Sequence, residues 1–208
     1  MVYALLLTAV VAYLLGNHNG AVAVSAWIAH DDVRSHGSGN AGLTNFLRNY
    51  GSKSAFLVIL VDVTKTAAAC LVGGALLREF GYAKEGMMLG AVMASLGHDF
   101  PVLLGFKGGK GILCGATAVF LLDWRIGAVL VVVFVASVAI TRYISVGSLL
   151  CAAGFGIGFA VVYWDRPWLV VGGIAIGALA IWMHRSNISR LLKGNENKFT
   201  IRKKEKTE

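Results

Sequence analysis

Charge is scarce in this chain. Only 14% of its 208 residues are Asp, Glu, Lys or Arg, against 57% hydrophobic, and the mean hydropathy is +0.70. So little charge excludes an ordinary soluble domain, whose apolar content is lower at this size, and places the chain in a bilayer. Acidic residues are the scarcer sign, 11 against 19 basic, leaving a net charge of +8. On a membrane chain that excess reports topology and anionic headgroups, so no nucleic-acid partner is expected. Cysteine is rare too: Cys70, Cys114 and Cys151 lie in apolar runs, are odd in number and lack ligand spacing, which leaves packing as their role. The first apolar run has no basic flank before it and no small-residue cleavage site after it, so no cleavable signal peptide is expected.

What is present is a series of apolar runs, and a spanning helix needs about 20 mostly apolar residues. The first runs from Val2 to Gly16 and continues past Asn17-His18-Asn19-Gly20 to Ile28. That polar break has two readings, a lining of something inside the protein or a break at the interface. Further spans are expected at Ala55–Leu77, Met87–Leu96 with an extension to Leu104, Ile112–Trp124, Ile126–Thr141, Val146–Trp164 and Trp168–Met183. The expected fold is an all-α integral membrane protein, a single bundle of about seven transmembrane helices. It forms one domain over residues 1–198, followed by a basic polar tail, 199–208, expected to be disordered. Gly173 and Gly177, and Gly154, Gly156 and Gly158, have the spacing of close helix contacts.

Seven spans put the two ends on opposite sides. Fourteen of the Lys and Arg residues then share one side: Arg34, Arg48 and Lys53, Lys107 and Lys110, Arg142, and eight in 184–208. Four fall on the other: Arg78, Lys84, Arg125 and Arg166. The positive-inside rule predicts the N-terminus outside and the C-terminus in the cytoplasm.

Every glycine-rich polar segment then falls on the cytoplasmic side. Gly97–Gly111 carries His98, Lys107 and Lys110 among Gly105, Gly108, Gly109 and Gly111, a composition suited to an anion. It is not a Walker A loop, since positions 104 and 111 are Leu and Gly. Gly37-Ser38-Gly39-Asn40, followed by Thr44, Asn45 and Arg48 at helical spacing, offers backbone, hydroxyl and guanidinium donors, or else a plain turn and helix cap. Asp62 and Lys65 share a helical face inside a span, where ionisable groups mark function or neutralise each other. Arg142–Ser148 and His184–Arg190 complete the set. Together these segments make a basic, hydroxyl-rich bowl beside lipid, suited to a phosphorylated polar substrate meeting a hydrophobic one. No His, Cys and carboxylate set has ligand spacing, so no metal and no cofactor is expected.

The motifs resemble one family at several places and in order: the bacterial acyl-phosphate:glycerol-3-phosphate acyltransferases, the PlsY family. Its GSGNxGATNxxR pattern is similar to Gly37–Arg48, with Asp32-Val33-Arg34 ahead of it, and its DxxKG to Asp62–Thr66. GHxFPVFxxFKGGKG matches Gly97–Gly111, RYxSLxS resembles Arg142–Ser148, and HRxNIxRLxxGxE resembles His184–Glu196. Departures include Leu43 for alanine, Thr66 for glycine, Leu103 for phenylalanine, Ile112-Leu113-Cys114 for Val-Ala-Thr, and Asn17-His18-Asn19 for a Ser-Ile-Pro-like segment. Leu43 and Leu113 are positions where larger residues reshape the acyl or acceptor pocket.

The resemblance implies transfer of a fatty acyl group from acyl phosphate to the sn-1 hydroxyl of glycerol 3-phosphate, beside membrane lipid, in the bacterial cytoplasmic (inner) membrane. No His-x4-Asp arrangement of the acyl-CoA-type glycerolipid acyltransferases occurs: the positions five after the histidines are Ala23, Ser35, Ala41, Leu103 and Ser189. The catalytic set expected is Lys107, Lys110, His98 and Ser38, acting by electrostatics and positioning. His98 is the alternative to substrate phosphate as base. Substrate and phosphate binding is expected from Gly37, Gly39, Asn40, Thr44, Asn45, Arg48 and Lys65, from Gly108, Gly109 and Gly111, and from Ser145, His184, Arg185 and Asn187. Two alternatives stay open at this point, a small organic-anion or phosphate transporter and a divergent paralogue with another acceptor.

Overall fold

The structure, a computed structural model, describes residues 1–199. The tail expected to be disordered lies, from residue 200, outside the described residues. Ten α-helices follow in order: α1 Val2–Gly16, α2 Gly20–Ala29, α3 Leu43–Tyr50, α4 Ser52–Arg78, α5 Ala83–Asp99, α6 Ile112–Leu122, α7 Trp124–Thr141, α8 Ile144–Val162, α9 Pro167–Met183 and α10 Arg185–Leu192.

Among the described residues, five stretches are long and apolar enough to cross a membrane: Val2–Ala29, Ser52–Arg78, Ala83–Leu104, Trp124–Thr141 and Ile144–Val162. A sixth arises if α9 and α10, bent by 55°, count as one. Within the expected span Ile112–Trp124 lies an apolar helix of 11 residues, α6, shorter than the helical stretches of the other expected spans. At about 1.5 Å per residue it is roughly half the length a ~30 Å hydrocarbon core requires.

The bundle closes through small residues. In lipid, helices gain little from hiding apolar surface, so association rests on close packing and interhelical hydrogen bonds. Gly73 of α4 and Gly86 of α5 face each other so closely that a Cβ on either would strike the other's carbonyl. Gly90 meets Ala69 in the same way, and Gly16 of α1 meets Ala94. Between α8 and α9, Gly173 packs on Phe159 and Gly177 on the Ala152 carbonyl, the close approach expected from their spacing. Gly154 and Gly158 face Leu130 and Ile126 of α7, and Gly156 faces Ile174 of α9. All three cysteines are buried.

Polar groups gather at the two ends. At one, Lys84 Nζ donates to the Tyr163 hydroxyl (2.6 Å), which donates to Asp123 (3.0 Å), itself paired with Arg125 (2.7 Å). Arg166 pairs with Glu85 there (2.7 Å). The other end holds the 31–51 segment, the 98–111 loop, the start of α8 and the α9–α10 bend. Phe199 N–H donates to the Arg142 carbonyl (2.6 Å), laying the last described residues against the same end.

The break between α1 and α2 is lined by protein. Asn19 caps α2 through Val22 N–H (3.1 Å) and donates to the Ala41 carbonyl (2.9 Å), while Asn17 Oδ1 accepts from Leu103 N–H (3.2 Å). The Asn17 and Asn19 side chains, buried at this break, are thus satisfied by neighbouring loops of the protein.

Candidate active site

A cavity of about 350 Å³ joins the polar end to an apolar groove. Its polar mouth is formed by Ser38, Asn40, Thr44 and Arg48 on one side and by Lys110, His184 and Asn187 on the other. Its apolar length lies between α6, α7 and α8. Both substituted positions, Leu43 and Leu113, line it.

The mouth loop is built by Asn45. That side chain is buried, donates both amide hydrogens to the carbonyls of Val33 and His36 (3.0 Å each), and accepts from Ser38 N–H (3.0 Å). Gly37 and Gly39 turn the chain with φ of 57° and 70°, where a side chain is strained. Asn45, Gly37 and Gly39 therefore shape the loop, and Ser38, Asn40 and Thr44 face the cavity.

The glycines of the second loop act differently from expectation. Gly109 N–H donates to the His98 carbonyl (3.0 Å) and Gly108 N–H to the Asp99 carbonyl (3.2 Å), closing the C-terminal end of α5. Those two amides are spent, which corrects the expectation that they hold phosphate. A Cβ on Gly109 would collide with the His98 ring, so this glycine lets the loop fold over the imidazole. Gly111 starts α6 in the left-handed region (φ 65°). The first N–H groups of α6 have no intrahelical acceptor and lie at the cavity beside Lys110, a helix N-terminus set for an anion.

Lys107 is exposed and outside the cavity wall, its carbonyl held by Arg34 (3.3 Å). Only Lys110 points in. The expected pairing of the two lysines is corrected accordingly: neighbours in a tight loop diverge, and the turn that buries one exposes the other. Lys110 Nζ donates to Asn187 Oδ1, Asn187 Nδ2 donates to Glu196 Oε1 (2.8 Å), and Glu196 Oε2 accepts from Arg190 Nε (2.6 Å). Burial, reinforced by Arg190, pulls the Lys110 ammonium down to about 8. Burial raises Glu196, but the hydrogen bonds from Asn187 and Arg190 outweigh it and hold the carboxylate below its ordinary range.

His184 sits at the α9–α10 bend, 5% exposed, and its Nδ1 donates to the Ala180 carbonyl (2.7 Å). A neutral ring so held presents Nε2 as an acceptor. Ser145 Oγ lines the cavity, buried and without a hydrogen-bond partner among the described residues. Arg185 turns away to stack on Trp182 (4.3 Å), outside the cavity, a correction to its expected place in the clamp.

Beneath the mouth, Lys65 Nζ meets Asp62 Oδ1 (2.7 Å), the His18 carbonyl (2.7 Å) and His98 Nδ1 (2.8 Å). Three acceptors satisfy its three donors. Lys65 does not reach the cavity, which corrects its expected role in substrate contact, whereas Asp62 and His98 do. Glu196 and Arg190 join the site without having been expected there from their motif. Their signal was the Glu that closes the HRxNIxRLxxGxE pattern. Among the described residues no group of three or more His, Cys, Asp or Glu is placed to hold a metal ion.

The family model described as glycerol-3-phosphate acyltransferase matches residues 6–194. The glycerol-3-phosphate acyltransferase of Thermoanaerobacter sp. (strain X514) is 36% identical over 193 residues, 93% of this chain and 94% of that protein. Glycerol-3-phosphate acyltransferase 1 of Deinococcus radiodurans is 37% identical over 197, with 93% and 96% covered. The crystal structure of PlsY (YgiH), an integral membrane glycerol 3-phosphate acyltransferase, in its glycerol 3-phosphate form superposes with a TM-score of 0.85 at 32% identity, over 94% of this chain and 96% of that one. Its lysophosphatidic acid form gives 0.81 at 30%, over 94% and 95%. This chain belongs to the glycerol-3-phosphate acyltransferase family.

Proposed function

We infer that the protein transfers a fatty acyl group from acyl phosphate to the sn-1 hydroxyl of glycerol 3-phosphate, giving lysophosphatidic acid and inorganic phosphate, the first step of bacterial phospholipid synthesis. The observation that carries this reading is the cavity itself: a cationic, donor-rich mouth opens directly into an apolar groove between α6, α7 and α8. An acyl phosphate has that polarity.

The glycerol hydroxyl oxygen attacks the acyl carbonyl carbon, the bond from that carbon to the phosphate oxygen breaks, and the hydroxyl proton passes to a phosphate oxygen. Lys110 and the first amides of α6 stabilise the charge developing on the carbonyl and the leaving phosphate. Arg48, Ser38, Asn40 and Thr44 hold the phosphate of glycerol 3-phosphate. Asn187 and Ser145 face the same space, and His184 Nε2 accepts from a glycerol hydroxyl and aims it.

The site faces the cytoplasm of the bacterial inner membrane, with the N-terminus outside and seven crossings, α6 being the short one. The Lys/Arg asymmetry supports this orientation, as does the meeting of Lys84, Asp123, Tyr163 and Arg166 at the far end. Purified protein in lipid is expected to release phosphate only when acyl phosphate and glycerol 3-phosphate are both present, and acyl-CoA is not expected to substitute. Turnover with acyl-CoA alone as donor overturns the reading. Reporter fusions at Met1 and after Phe199 test the orientation.

A further inference from the structure

We propose that the ring of Phe120, lying across Gly127, is the end wall of the acyl groove and sets the length of chain the enzyme prefers. This rests on the acyl-transfer reading above. The groove follows α6 from Ile112 to Phe120, α7 from Phe134 to Gly127, and α8 from Ser145 to Phe155. Phe120 and Gly127 are the lining residues of α6 and α7 farthest along the chain from the polar mouth.

A Cβ on Gly127 would sit 2.7–2.8 Å from three carbons of the Phe120 ring, so the ring rests on bare backbone and bridges the two helices. Phe120 also lines a second pocket, on the side away from the mouth, with Lys84, Asp123, Arg125 and Tyr163. The ring is therefore a partition, with an apolar groove before it and a charged network behind it. A methyl terminus that passed the ring would displace hydration from those charges. Wall and penalty act in the same direction.

The eight-residue step from Ile112 to Phe120 covers about 12 Å at the helical rise. An extended chain of ~1.5 Å C–C bonds advances roughly 1.25 Å per carbon, so the straight groove takes about ten carbons before the ring. Longer chains bend into lipid or press on Phe120. Each methylene newly admitted to apolar burial is worth roughly fourfold in binding.

The test compares wild type, Phe120→Ala and Ala116→Leu with glycerol 3-phosphate and acyl phosphates of 10 to 18 carbons. Phe120→Ala is expected to raise the ratio of kcat/KM for 18 over 10 carbons by roughly fifteenfold, the worth of about two methylenes. Ala116→Leu, which narrows the groove above the wall, is expected to move the preferred length to shorter chains. Active variants with unchanged profiles overturn the proposal. If Phe120→Ala does not fold, Phe120→Leu and Ala116→Leu carry the comparison. If wild type turns over no acyl phosphate of any length, the acyl-transfer reading falls. The wall is then judged by thermal unfolding with lysophosphatidic acids of the same lengths: an optimum that moves in Phe120→Ala upholds it, and a common profile overturns it.

Discussion

The Lys65 ammonium donates to His98 Nδ1 across 2.8 Å, and the same ammonium is held by Asp62 at 2.7 Å. A ring that accepts at Nδ1 carries its proton on Nε2, the nitrogen beside Gly109. His98, which lines the cavity, thereby carries its N–H on the nitrogen under the Gly109 turn, and the role of base considered for it is not the one this tautomer supports. His98→Gln, which keeps an N–H near the ε position, is expected to stay within about tenfold of wild-type kcat, while His98→Ala loses roughly 10²-fold or more, as removal of an anion-stabilising donor does. Steady-state kinetics decide; equal activity in both variants sinks the donor role.

Removing Lys65 leaves Asp62, 2% exposed, as a buried carboxylate without its cation. Lys65→Met is expected to destabilise the protein by about 3–5 kcal/mol, and the double change Asp62→Leu with Lys65→Met by clearly less. Thermal unfolding in detergent reads both. Equal loss in the single and double variants counts against the pair as the unit of stability.

Lys110 titrates near 8, so its charge is present below that pH and lost above it. Since the ammonium is the form that attracts phosphate, kcat/KM is expected to fall as pH rises through about 8. Lys110→Arg keeps its charge in that range and is expected to move the alkaline limb upward at reduced rate. Lys110→Ala is expected to cost about 10²–10³-fold. A limb that stays in place in the Arg variant assigns it elsewhere.

Glu196 orients Asn187, whose oxygen then faces Lys110. Glu196→Ala frees that amide to rotate and leaves Arg190 without its partner, so kcat/KM is expected to fall at least tenfold with little loss of helix signal, a change read by kinetics beside circular dichroism. The carboxylate's folded value is depressed. Its stabilisation is therefore present above the ordinary 4.5 and lost as pH falls through the lowered value, so acid unfolding of the variant is expected to show a smaller loss over that window.

Much of this protein follows from one-dimensional chemistry. Apolar runs of spanning length mark helices wherever they lie, because in lipid only a helix satisfies its own backbone. Spaced glycines at 173 and 177 mark close approach because nothing larger fits. Ser38, Asn40, Thr44, Arg48, Lys110, Gly111, Ser145, His184 and Asn187 carried enough polar chemistry in their motifs to be picked out, and all line one cavity. What the residue string left open was direction. Lys107 and Lys110 read alike, and Gly108 and Gly109 read as an anion cradle. Only the path of the loop over His98 spends those amides on α5 and turns one lysine outward.

The sequence by itself determined the class of the molecule, its membrane residence and the family chemistry, because hydropathy and motif spacing are local properties of the chain. Tertiary structure decided which donors remain free, which tautomer His98 holds, that α6 is an 11-residue helix, and that the Phe120 ring lies across Gly127. Those depend on contacts between residues such as Lys65 and His98, or Phe120 and Gly127, whose meeting no single segment encodes.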